Sequence, residues 1–182
     1  MILPLFRRNR RADTISALYG MIVAQARTPC FYQDYAVPDT INGRFDLLVL
    51  HLVLVIERLN RDPALKDLAQ GLFDRFCSDM DDNLREIGIA DLKVPKEMRR
   101  MGEAFYGRAQ AYQAALAVPD DAALEDALVR NIYGGTAPAA GVTARLAAYA
   151  RKTLQDLDTQ DAATLEAGKV RLPDPAGRFI VA

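Results

Sequence analysis

The stretch Met80-Asp81-Asp82-Asn83-Leu84-Arg85-Glu86-Ile87-Gly88-Ile89-Ala90-Asp91-Leu92-Lys93-Val94-Pro95-Lys96 joins two amphipathic segments, and its reading decides the fold. Upstream, Leu65, Leu68, Leu72, Phe76, Met80 and Ile87 make an apolar stripe. Downstream, Val94, Met98, Met101, Phe105, Tyr112 and Leu116 make a second, again in steps that keep one face of a 3.6-residue repeat. Gly88 is placed to end the first helix in a left-handed conformation, and Pro95 suits the first turn of the second. The connection from Ile89 to Val94 has the length expected between antiparallel helices. Arg75, Asp79, Asp82 and Glu86 share one edge of the first helix, while Lys96, Arg99, Arg100 and Glu103 share the polar face of the second. An acidic helix end thus meets a basic helix start, and this polarised hairpin is expected to carry the function.

Outward from the hairpin the same periodicity continues. Arg44 to about Asn60 is predicted as a helix with apolar side chains on nearly every side, so neighbours must cover it. Its uncharged run from Leu47 to Ile56 is about half of the roughly 20 residues a membrane span needs. Asp13 is placed to cap a helix from Thr14 to about Ala26. Residues 28–42 read as a loop, either functional or packed over the core, with exposed-looking aromatics at Phe31, Tyr32 and Tyr35. Asp62-Pro63 starts the helix that runs to Ile87, within which Gly71 allows close packing. Further helices are predicted near 121–133, 138–157 and 160–167. No segment alternates with period two. The expectation is an all-α, single-domain bundle of about six to seven helices around the buried helix at about 44–60. A basic segment 1–12 precedes the helical domain 13–168, and an irregular tail 169–182 follows it.

With 182 residues the chain can bury roughly 70% of its unfolded surface. Basic and acidic residues nearly balance, 23 against 24, which argues against a general nucleic-acid or DNA binder. The opening is too short for a secretory h-region, and Cys30 and Cys77 read as reduced core thiols of a cytoplasmic protein. Met1 to Arg11 combines apolar residues with an arginine cluster; an anionic membrane surface and a solvated terminus both fit it.

The chemistry of catalysis finds little to work with. The single histidine, His51, lies in the most apolar helix and reads as a neutral core residue bonded to another element. Neither a zinc ligand spacing nor a phosphate loop is present. Asp79, Asp81, Asp82 and Glu86 suit a solvated face or an acidic docking surface better than a metal site, since Asp81 points away and no matching acidic helix exists. No cofactor and no catalytic residue is expected.

Three passages, in order, resemble a known family. Asp39-Thr40-Ile41-Asn42-Gly43-Arg44-Phe45-Asp46 with the later His51 is similar to a passage of the ubiquinol–cytochrome c chaperone family. The run from Met80 to Lys96 matches better, as do Met98, Met101 and Phe105-Tyr106-Gly107-Arg108. The resemblance spans roughly residues 12–175 and implies an assembly factor rather than an enzyme. Such a protein binds newly made cytochrome b while the ubiquinol–cytochrome c reductase, respiratory complex III, is built. With no transit peptide expected in so compact a chain, it looks like a bacterial member in the cytoplasm, with or without peripheral attachment at the inner face of the cell membrane. Mitochondrial members also work near the ribosome and with a small partner subunit; no residue of this sequence speaks for either. The motif positions carried over are Gly43, Arg44, Asp46, His51, Asp82, Leu84, Arg85, Gly88, Asp91, Lys96, Met98, Met101, Tyr106, Gly107 and Arg108.

A physical account stands beside the resemblance. A membrane-protein client presents apolar segments flanked by Lys and Arg. Adaptable apolar surface and acidic groups would hold it. Met98, Met101, Phe105, Tyr106 and the Phe31–Tyr35 loop are candidates for the first; Asp79, Asp82 and Glu86 for the second. The spacing of Met98, Met101 and Phe105 favours core, whereas Tyr106 and Arg108 flank the stripe and suit contact. The alternative is a peripheral membrane or RNA adaptor using the N-terminal arginines with Lys96, Arg99 and Arg100 in the 93–100 segment.

Overall fold

The apolar run of residues 47–55 is covered from all sides in the computed structural model, which describes residues 3–177 and 179, with side chains from residue 11 onward. Its helix is one of eight among the described residues: α1 (Leu3–Ala26), α2 (Pro29–Gln33), α3 (Ile41–Asn60), α4 (Lys66–Glu86), α5 (Val94–Leu116), α6 (Ala122–Asn131), α7 (Val142–Asp158) and α8 (Ala162–Glu166). A 3-10 turn at Pro63–Leu65 precedes α4, and no strand occurs among the described residues. The all-α reading is correct, with six long helices and two single-turn ones. α3 packs against α1, α4, α5 and α7, which cover its run 47–55 on every side, as the sequence of that run requires. No helix among the described residues is long and apolar enough to cross a membrane.

Local chemistry sets the ends of the elements. Thr40 caps α3 by accepting from the Gly43 amide at 3.1 Å. Gly43 itself has no room for a side chain, because a Cβ there would collide with the Pro38 carbonyl oxygen. At the end of α4, Gly88 has φ +84°; its amide donates to the Arg85 carbonyl and the Ile89 amide donates to the Leu84 carbonyl. These two bonds form a Schellman arrangement, with Gly88 in the left-handed conformation predicted for it. A Cβ on Gly71 would run into Ile15 of α1, which accounts for that glycine within a helix.

Two expectations are corrected. The first helix does not start at a cap on Asp13; helical backbone runs back to Leu3, so residues 3–12 belong to α1 and Asp13 lies inside it. The side chains of Arg7, Arg8 and Arg10, on which the membrane reading leans, lie outside the described ones, as do residues 1–2, 178 and 180–182. In the segment 28–42 the aromatics are not exposed, and the alternative of packing over the core holds. Pro29 opens α2, and Phe31 and Tyr35 are fully buried, with Tyr32 half-buried. Phe31 meets the rings of His51 and Tyr149 edge-on at 5.2 and 5.1 Å. The Tyr35 hydroxyl donates to the Pro175 carbonyl at 2.7 Å, and Tyr133 donates to the Tyr35 carbonyl at 2.8 Å. The tail from residue 169 is irregular but pinned: Gln25 donates to the Pro173 carbonyl at 2.8 Å.

His51 ties these parts together. Its Nδ1 lies 2.8 Å from the Leu47 carbonyl oxygen, which can only accept, so Nδ1 carries the proton. Nε2 therefore accepts from the Tyr149 hydroxyl at 2.9 Å, and that hydroxyl accepts from Gln25 at 3.0 Å. One chain of bonds links α1, α3 and α7. Burial holds the imidazole pKa down at about 4, so the ring is neutral.

Candidate functional site

The α4–α5 hairpin is welded near its base and open near its tip. Phe73 and Phe76 of α4 meet Phe105 of α5 with ring centroids 4.9 and 5.5 Å apart, and Tyr106 lies 5.5 Å from Phe73. Beyond this aromatic seam the facing side chains are Met80, Leu84, Met101 and Ala104, which are slimmer. A cleft of about 660 Å³ opens there over the first turns of α3, with the end of α1 closing its other wall. The volume lies within the range of ligand-sized clefts. Ile41 from α3 and Ile87 from the end of α4 stand at its mouth, 82% and 67% exposed. Both line the cleft, so the apolar surface runs outward from it.

The polar groups of the cleft fall into two sets. At the mouth, Arg27 is exposed and two further arginines are each paired with a carboxylate. Arg44 pairs with Asp39 at 2.7 Å and lies over the Tyr32 ring; Arg100 pairs with Glu97 at 2.9 Å. Asp79 accepts from the Tyr19 hydroxyl at 2.8 Å and has Arg75 at 3.8 Å. Burial and then Asp79 push the Tyr19 phenol far above its usual range, so it stays a donor. Deeper in, Asp46 of α3 faces Arg108 of α5, whose Nη2 stands 2.8 Å from Asp46 Oδ1. That separation makes an ion pair; Arg108 Nε and the Tyr112 hydroxyl are buried without a hydrogen-bond partner among the described residues. Arg108 also donates to the Ala104 carbonyl at 3.2 Å and lies 5.8 Å from the Phe45 ring centroid. Burial pushes the Asp46 carboxyl up to about 6, and Arg108 pulls it only part of the way back.

The structure gathers some of the sequence candidates and separates others. Asp79, Arg100, Met101 and Arg108 line the cleft, together with the motif residues Arg44, Asp46 and Leu84. Asp82, Glu86, Lys96 and Arg99 are exposed on the hairpin and do not line it. Met98 is half-buried and packs on the core, as does Met101. Tyr106 is 61% exposed outside the cleft, next to Gly107. Arg85 bridges Asp81 and Asp91, each at 2.6 Å, and with Gly88 shapes the hairpin tip. Phe31 and Tyr35 leave the list of surface candidates because they are core. Sequence reasoning missed Ile41 and Ile87. Ile87 was counted in the buried stripe, and Ile41 follows the Thr40 cap with no period to mark it as unusual.

Three comparisons bear on this arrangement. The chain is 28% identical over 132 residues to ubiquinol-cytochrome-c reductase complex assembly factor 1 of Xenopus laevis, covering 72% of this chain and 66% of that protein. The crystal structure of the Cbp3 homolog from Brucella abortus superposes with a TM-score of 0.84 at 40% identity, covering 96% of this chain and 98% of that one. The family model described as ubiquinol-cytochrome C chaperone matches residues 33–172, which include α3, α4, α5 and the cleft residues they supply, and the chain belongs to that family.

Proposed function

We propose that the protein is a non-enzymatic assembly chaperone for the ubiquinol–cytochrome c reductase, and that its cleft holds an apolar segment of newly made cytochrome b. The observation that carries the reading is the pair Ile41 and Ile87, left in water at the mouth of an apolar cleft walled by Met80 and Met101. Isolated surface apolar residues are ordinary, but two on one rim continuous with a cleft mark a contact surface. Methionine adapts to the varied shapes of an unassembled chain. Asp82 and Glu86, free on the outer edge of α4, meet the Lys and Arg that flank membrane segments. The protein works at the cytoplasmic face of the membrane, where such a client is inserted.

The test is recovery of cytochrome b with the tagged protein from its host. The expected result is co-purification with the parent chain and its loss with Ile41→Asp/Ile87→Asp, whose circular dichroism and melting stay unchanged because both positions are solvent-facing. Equal recovery by parent and variant would reject the cleft as the client site, and failure to recover cytochrome b with either would reject the client.

A further inference from the structure

The turn that joins α4 to α5 carries the most exposed large apolar side chain among the described residues. Leu92 is 97% exposed, whereas Val94, two residues on, is 1% exposed. The tip of the hairpin thus has an apolar seat and leaves Leu92 out of it. The backbone beneath Leu92 is held in place. The Lys93 amide donates to the Ala90 carbonyl at 2.7 Å, so Leu92 takes the third position of a hydrogen-bonded turn. The Gly88 and Ile89 amides donate back to α4, and the Lys96 and Glu97 amides donate to the Lys93 carbonyl. A tip whose amides are bonded internally enters a less polar medium at a lower cost in desolvation and ordering.

The charges around Leu92 are sorted. Asp91, its neighbour in the turn, is held by Arg85 at 2.6 Å, and Glu97 is paired with Arg100 at 2.9 Å. Lys93, Lys96 and Arg99 are exposed and pair with no carboxylate among the described residues. From Leu92 to Arg100 every unpaired charge is therefore positive. The unpaired acids of the hairpin end, Asp82 and Glu86, belong to α4.

We propose that the tip of the α4–α5 hairpin docks on an anionic lipid bilayer, with Leu92 inserted between headgroups and Lys93, Lys96 and Arg99 on the surrounding phosphates. One exposed leucine is ordinary on a protein surface. This one stands at the apex of a bonded turn beside three unpaired cations, and apolar insertion and basic attraction reinforce each other at an anionic surface. A polyanion such as RNA would use the cations and leave Leu92 in water. Leu92 does not line the cleft, so the docking surface is separate from the client site and stands without it. Ile87, at the same end of the hairpin, does line the cleft, so a docked tip brings the cleft mouth toward the bilayer.

The probes are vesicles of phosphatidylcholine alone and of phosphatidylcholine mixed with phosphatidylglycerol, with no client present. In sedimentation with the mixed vesicles, Leu92→Ser and Lys93→Glu/Lys96→Glu are each expected to bind about tenfold more weakly than the parent chain. The parent is expected to bind phosphatidylcholine alone about tenfold more weakly than the mixture. All three positions are solvent-facing, so circular dichroism and melting should match the parent. The chain contains no tryptophan, so Leu92→Trp places a single indole at the apex. Its emission should shift to the blue on the mixed vesicles and be quenched by bromine on the acyl chains. Tyr106→Trp carries the same indole at an exposed position outside the turn and should show neither effect. An indole at position 92 that stays in water overturns the proposal, whether or not the vesicles bind elsewhere on the chain. Equal quenching at positions 92 and 106, equal binding to the two vesicle types, or unchanged binding by either tip variant overturns it as well. Each of these results leaves the client reading of the cleft in place.

Discussion

His51 and Asp46 lie on the same helix, both buried and both polar, and they are treated in opposite ways. The imidazole is closed in by Leu47 and Tyr149, with each ring nitrogen used and the chain of bonds continued to Gln25. The carboxylate has one ion-pair partner, Arg108, and its Oδ1 is closed to water although the residue lines the cleft. A saturated polar group fixes the relative placement of elements and offers nothing to a partner. A buried ion pair with no further partners keeps much of its desolvation cost, so packed apolar side chains can replace it at little loss. The first therefore fixes the scaffold, and the second is a cost the fold carries beside the cleft.

Stability measurements can break or sharpen this contrast. The largest effect is expected from His51→Ala, which empties a fully buried position and strands the Tyr149 hydroxyl. A loss of about 4 kcal/mol in urea unfolding is expected. Arg108→Ala leaves Asp46 buried without its cation and should cost about 3 kcal/mol, whereas Asp46→Leu/Arg108→Met should stay within about 1 kcal/mol of the parent. If the double variant were as damaged as Arg108→Ala, the pair would be scaffold after all.

The two residues also predict opposite pH behaviour. His51 has a folded pKa of about 4 against an ordinary 6.5, so the unfolded chain binds the extra proton. Its contribution is complete above about pH 6.5 and is lost as pH falls toward 4. The cost of His51→Ala should accordingly shrink by roughly 2 kcal/mol between pH 7 and about pH 4.5. Asp46 has a folded pKa of about 6 against 3.8, so the folded chain binds the extra proton. Its ionised form penalises folding above about pH 6, and the penalty fades as pH falls toward 4. Asp46→Asn should compare more favourably with the parent at pH 7 than at about pH 4.5, by roughly 2 kcal/mol. Unfolding curves of the parent and both variants at the two pH values check both signs. The smallest effect belongs to the hairpin tip: Gly88→Ala places a Cβ at φ +84° and should cost about 1 kcal/mol, read as a small shift in the urea midpoint.

Much of this architecture was legible in the sequence, because its causes are local. Gly88 and Pro95 bound the hairpin, the unbroken apolar surface of α3 demands burial, and a lone histidine within it demands partners. What escaped depends on distant residues. Phe31 and Tyr35 look like surface aromatics in a proline-flanked segment until Tyr149 and His51 arrive from elsewhere in the chain to receive them. The early start of α1 follows from no cap, since Asp13 is a good cap residue that is simply bypassed. The cleft had no linear signature either. It arises because the phenylalanine seam stops at Phe76 and Phe105, so the hairpin separates over α3 where Met80 and Met101 face each other, and only packing reveals the gap.

The central claim is that the client enters between the hairpin and α3, and its most direct test is site-specific photo-crosslinking in the host. A photoreactive residue at Ile87, on the rim, is compared with one at Tyr106, exposed on α5 outside the cleft. The account predicts cytochrome b adducts from position 87 and none from position 106. Adducts from position 106 with none from 87 would contradict it.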